Sequence, residues 1–297
     1  MNLKTRDHIQ LKRSLLVKLN SKIIKRVIKV LFTSIALYVL FLKIDIKEIE
    51  SILQNTEWIY LLLAILFFNL SKILSSIRLN IYFNHIGVKI SEIYALKLYY
   101  IGMFYNLFLP SGVGGDGYKI YLLKQSHNIK LSTLITASLL DRVSGVIPLL
   151  FFAGILFIFS DFYNQLMWLD YLIIVEIATI FPIFYIINRV FFNRYLEIFF
   201  ITITLGSAVQ LLQLISAIFI LYAIGIKSSI LIFLTLFLIS SVVAILPITI
   251  GGVGVRELTF LYGLSLVDID VNGGVTFSLL FFLITALSSL IGLFLKE

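Results

Sequence analysis

Eight long apolar runs, near residues 27–42, 58–77, 91–109, 131–160, 171–188, 198–223, 229–246 and 274–295, follow one another with only short polar breaks. Several approach the ~20 residues a helix needs to cross ~30 Å of hydrocarbon. In lipid every backbone polar group must be satisfied within the protein, and runs of this length do so as helices. The chain therefore reads as an all-α polytopic membrane protein. Composition agrees: 60% of the 297 residues are hydrophobic and 13% charged, against about 45–50% and about 25% in a soluble domain. Cysteine is absent, and His8, His85 and His127 are scattered. No disulfide, metal site or cofactor is expected.

The net charge of +8 does not point to nucleic acid, because nine of the 24 Lys and Arg residues precede residue 30. Residues 1–26 are read as a basic amphipathic segment on the cytoplasmic side, and 27–297 as a single integral membrane domain. Over 11–28, leucines and isoleucines at 3–4 spacing alternate with Lys and Arg. This is either an orientation signal for the first span or a helix lying on an anionic leaflet.

If every run crossed the membrane, Lys119, Lys124, Lys130, Arg189 and Arg194 would lie outside, and the loop holding Asp161 and Asp170 inside. That opposes the tendency of Lys and Arg to stay cytoplasmic. The conflict lifts if 91–124 and 229–262 are re-entrant hairpins. The expectation is about six full spans plus two re-entrant hairpins, with both termini cytoplasmic in the cell membrane.

The two hairpins share a sequence. "PSGVGGDGYK" (110–119) and "PITIGGVGVRE" (247–257) align without a gap at an offset of 137. Pro110 pairs with Pro247, Gly114 and Gly115 with Gly251 and Gly252, Gly117 with Gly254, and Lys119 with Arg256. Entering from opposite faces, they form an inverted-topology repeat with halves near 58–160 and 198–295, the pattern of transporters that bind substrate at broken helices near the midplane. Gly112, Gly114 and Gly117 also spell a nucleotide fingerprint, but no strand precedes them and no βαβ unit follows. Pro breaks the entering helix and Gly-Gly permits reversal and close packing. Gly115 and Gly252 are expected to tolerate bulk about equally badly.

Asp141 and Arg142 fall inside the run 131–160, where a charge costs about 2.5–3.5 kcal/mol on insertion scales. They are either half of a structural ion pair, with Asp116 or Arg256, or part of a polar cavity for a head group. Asp116 has Val253 as its counterpart, so the fold alone does not require an acid there. Lys119 and Arg256, with Glu257 beside the latter, are candidates to hold phosphate. Lys72, Arg78 and Lys97 sit near expected span ends, where snorkelling suffices.

"NLFLPSGVGGDGYKIYLL", "DRVSG" and "PITIGGVGVRE" together resemble the lysylphosphatidylglycerol synthase transmembrane region, or flippase-like domain family. The resemblance covers roughly 27–295 and includes Asn106, Asp116, Asp141, Arg142, Gly145, Arg256 and Glu257; Lys119 stands where members often carry Arg. It implies movement of lipid between leaflets. The soluble synthase domain of larger members has no counterpart here, so the family name is not read as an activity of this chain. The leading expectation is a lipid translocase that takes a phospholipid or lipid-linked glycan at a site made by Asp116, Lys119, Asp141, Arg142, Arg256 and Glu257. The alternatives are a membrane transferase acting on a lipid-linked substrate, with no metal or cofactor, or a non-catalytic partner of a lipid-modifying or glycan-synthesis enzyme.

Overall fold

The structure, a computed structural model, describes residues 46–108, 114–160, 167–245 and 254–295, with Tyr38, Phe162 and Gly252. The N-terminal segment, the first apolar run apart from Tyr38, and the turn residues Pro110, Pro247 and Gly251 lie outside the described residues. Among those described there are ten α-helices and no strand: α1 (Ile46–Gln54), α2 (Trp58–His85), α3 (Glu92–Phe108), α4 (Gly114–Ser126), α5 (Leu131–Phe159), α6 (Met167–Phe191), α7 (Phe199–Ala223), α8 (Ile230–Ile245), α9 (Val255–Ser265) and α10 (Val271–Phe294). A 3₁₀ turn, Asn193–Ile198, leads into α7.

Five of these segments are long and apolar enough to cross a membrane: Trp58–His85, Leu131–Phe159, Trp168–Phe191, Asn193–Ala223 and Val271–Phe294. They coincide with five of the six spans read from the sequence. The other long runs are broken. With 17, 13, 16 and 11 residues, helices α3, α4, α8 and α9 rise only about 25, 20, 24 and 16 Å, short of the ~30 Å core.

The short helices pack in antiparallel pairs. Asn106 of α3 meets Gly115 of α4 near the break, and Tyr99, two turns back, meets Lys119, one turn on. In the second pair Ala244 lies against Gly252, Ser241 against Arg256 and Leu236 against Gly263. Helices α2 and α7 share the most extensive interface and are also antiparallel. Tyr60 packs on Tyr222 (5.9 Å), the Ser216 hydroxyl donates to the Ala64 carbonyl (2.8 Å), and Tyr82 O–H donates to Thr202 (3.2 Å). Both α2 and α7 stop the same way. Gly87 (φ +91°) and Gly225 (φ +79°) follow them in the left-handed region, and the next amides, Val88 and Ile226, reach back to Phe83 and Leu221. That closure satisfies last-turn carbonyls at a position only glycine adopts freely.

The interior is built from dispersion contacts and close backbone approach, since lipid offers side chains as apolar a surrounding as the core does. Phe237 of α8 packs on Phe281 of α10 (4.6 Å between centroids), with Phe260 and Phe277 beside them. Gly206 brings α7 onto the α5 backbone at Ser144, and Gly292 brings α10 onto α3 at Tyr100. Helix α6 stays peripheral, with only 11% of its apolar window buried.

Candidate functional site

Two adjoining cavities open between the short-helix pairs and α2. The first, about 230 Å³, is lined by Arg78, Asp116, Lys119, Asp141 and Arg142. The second, about 300 Å³, is lined by Lys72, Gln213, Ser241 and Arg256. Met103 and Asn106 of α3 line both.

In the first cavity every carboxylate is engaged. Arg78 Nε donates to Asp141 Oδ1 at 2.8 Å, with both side chains below one tenth exposed. Gly145 makes room for this guanidinium: a Cβ there would meet Arg78 Nη1 at 2.9 Å. Asp141 thus pairs across helices with a residue 63 positions earlier, not with its neighbour Arg142. Arg142 turns instead to Asp116, whose other oxygen takes Lys119 at 2.6 Å. The Lys119–Asp116 pair is one helical turn apart in α4, as i,i+3 spacing allows. The start of α4 is fixed by Asn106, whose side-chain oxygen accepts from Gly115 N–H at 2.8 Å. The sequence-predicted residues Asp116, Lys119, Asp141 and Arg142 therefore meet in one place.

The second cavity is different. Lys72 Nζ lies 4.3 Å from the Phe68 ring centre, and the Arg256 guanidinium 5.8 Å from that of Phe281. Arg256 Nη1 also donates to Ser241 at 3.2 Å. No carboxylate among the described residues lies within salt-bridge distance of either cation. Glu257, next in the chain to Arg256, lines neither cavity. Its oxygens accept from Gly254 N–H (2.7 Å) and from Ser278 O–H (2.9 Å), so it closes the first turn of α9 and ties it to α10.

Lys72 and Arg78 are where the sequence reading and the structure part. Hydropathy ends the second run at 77, which puts both near an interface. Helix α2 continues to His85, and Arg78 is 5% exposed inside the bundle. The signal that finds it is a stripe of polar residues, Ser71, Ser75, Arg78 and Tyr82, at spacings of four, three and four on one helical face.

The repeat glycines also separate. Gly252 and Gly254 have φ of +80° and +85°. Gly114, Gly115 and Gly117 are helical, and Gly115 is required by contact: a Cβ would enter the backbone of Gly102 in the same hairpin. Gly117 faces open space.

The fold and this charged interior define a multi-pass helical membrane protein with a buried polar site lined by its short helices. Residues 26–203 match the lysylphosphatidylglycerol synthase transmembrane region, and the chain belongs to that family. It is also similar to the UPF0104 membrane protein PH1989 of Pyrococcus horikoshii, 26% identical over 117 residues. That stretch is 39% of this chain and 35% of the archaeal protein.

Proposed function

We propose that the protein binds the anionic head group of a membrane lipid in the two cavities and carries it between leaflets of the cytoplasmic membrane. One observation carries the reading: five basic and two acidic side chains converge there, an excess of three positive charges. Buried charge in a membrane is costly and is retained where it handles polar cargo. The ligand that offsets such an excess is an anion, and a phosphate is held well by a guanidinium fork and a lysine together. Its source is a phospholipid or a lipid-linked glycan, and an enzyme that makes or uses that lipid is a natural partner.

Transport needs a site reachable from both sides. Two re-entrant hairpins in an inverted repeat would supply it, and several features support that arrangement. At the offset of 137, α2, α3 and α5 fall on α7, α8 and α10. The matched pair α2 and α7 is antiparallel. The packing also exchanges between halves: α5 lies on α8, and α10 on α3. With the basic N-terminal segment held inside, this arrangement leaves both chain ends cytoplasmic.

The test is leaflet exchange in reconstituted vesicles, using labelled phospholipids and polyprenyl-phosphate lipids. At least one anionic lipid should exchange faster than in protein-free vesicles. No excess rate for any of them refutes the proposal.

A further inference from the structure

We propose that the cavity holding Lys72 and Arg256 is a phosphate subsite matched to a dianionic group, a phosphomonoester or diphosphate, in preference to a phosphodiester. The proposal rests on reading the interior as a head-group site and names the chemistry that site selects.

The two cavities are compensated differently, and the repeat shows why. Lys119 and Arg256 occupy equivalent positions in the two copies. Three residues before Lys119 stands Asp116, which pairs with it. Three residues before Arg256 stands Val253. One copy therefore pairs its cation with an acid one turn back that lines the cavity, and in the other the acid of the helix, Glu257, lines neither cavity. The neighbouring segments 109–113 and 246–251 contain no Asp or Glu. Glu257 is occupied by Gly254 N–H and Ser278 O–H. Lys72 adds a second cation from the other half of the chain, lining the same cavity as Arg256.

Two like charges lining one cavity repel, and a ligand bearing two negative charges relieves both. A phosphomonoester carries nearly two at pH 7, whereas a phosphodiester carries one. The cations rest against the Phe68 and Phe281 rings, and Arg256 spends one N–H on Ser241, which leaves its other N–H groups and those of Lys72 for a ligand. Neutral donors complete the wall. Asn106 uses its oxygen on Gly115 N–H, so its amide hydrogens remain. Gln213 lines the cavity with no hydrogen bond to a described side chain or carbonyl. At about 300 Å³ the cavity is at the small end for ligand pockets, fitting a phosphate group and not a whole lipid.

The experiment titrates the purified full-length protein in detergent with dioctanoyl phosphatidic acid, dioctanoyl phosphatidylglycerol and inorganic pyrophosphate, reading Kd by thermophoresis at pH 7.5. Wild type should bind phosphatidic acid roughly tenfold or more tightly than phosphatidylglycerol, from one additional charge-assisted interaction. Lys72→Gln and Arg256→Gln should each weaken phosphatidic acid by a similar factor, and Lys72→Arg should retain it. Equal affinity of wild type for the monoester and the diester overturns the proposal, and needs no variant to fold. Unchanged affinity in both Gln variants overturns it too. Pyrophosphate binding as tight as phosphatidic acid upholds the dianion subsite and makes a free anion, not a lipid, its ligand. Leaflet exchange separates the two readings. Intact phosphatidic acid binding without exchange of any lipid refutes translocation alone. Exchange that is unaffected in the doubly substituted protein refutes the subsite alone.

Discussion

Replacing Gly115 with alanine should weaken the protein far more than the loss of a hydrogen atom suggests. The new Cβ would stand 2.6 Å from the carbonyl carbon and 2.8 Å from the Cα of Gly102. Carbon atoms rest about 3.5–4.0 Å apart, so α3 and α4 must separate by ~1 Å. Nothing can swing aside, because the obstacle is backbone. Separation also stretches the 2.8 Å bond from Gly115 N–H to Asn106, worth ~1 kcal/mol. Overpacking alone costs about 1–3 kcal/mol. The sum is ~3 kcal/mol, a sizeable part of a typical stability of 5–15 kcal/mol, and lowers the melting temperature by roughly 5–10 °C. The control is Gly117→Ala. A Cβ there meets nothing within 4 Å, and exchanging Gly for Ala inside a helix stabilises by about 0.5–1 kcal/mol. Thermal unfolding of both variants in one detergent decides the matter. If Gly115→Ala melts with wild type, or Gly117→Ala falls as far, the close contact of α3 and α4 is not what the glycine serves.

Asp141→Asn should cost about 3–5 kcal/mol by stranding the buried Arg78 charge, and Arg78→Met combined with Asp141→Leu should recover most of it in the same melting assay. Gly252→Ala should cost about 1–2 kcal/mol through its positive φ. That is less than Gly115→Ala, since its nearest atoms are a methyl group at 3.0 Å and the Arg256 side chain at 3.3 Å. Glu257→Ala should cost about 0.5–2 kcal/mol by uncapping α9, with α9 amides near Gly254 gaining faster hydrogen exchange.

Much of the site was readable in the sequence because chemistry repeats there. The two matched Pro-Gly-Gly segments fall between the paired short helices, α3 and α4 in one case and α8 and α9 in the other. Asp141 and Arg142 stand out because charge inside an apolar run is costly, and Asp116 and Lys119 because they fall in the repeated segment. Lys72 and Arg78 were misplaced for the same reason in reverse. A charge near the end of a run shortens the apparent run, so an interior residue passes for a boundary one. Glu257 was grouped with Arg256 by adjacency, although neighbours on a helix point about 100° apart. Nor does sequence distinguish a glycine needed for φ from one needed for contact, which is why Gly115 and Gly252 read as equals.

The exchange of packing between halves has a consequence for how the chain is made. Helix α3 finishes at Phe108, but α10, which covers it and fits Gly292 against Tyr100, ends at Phe294. At about 5–20 residues per second, α3 waits roughly 10–40 s after its own synthesis for its partner. During that interval the face of α3 that Gly292 will meet lacks its final cover. The internal bonds of α3 and α4, Asn106 to Gly115 and Asp116 to Lys119, need only residues already synthesised. They make the α3–α4 pair a self-contained unit that can wait, whereas the α8–α9 pair, with no acid before Arg256 in α9, forms when α2 and α5 are already in place to receive it.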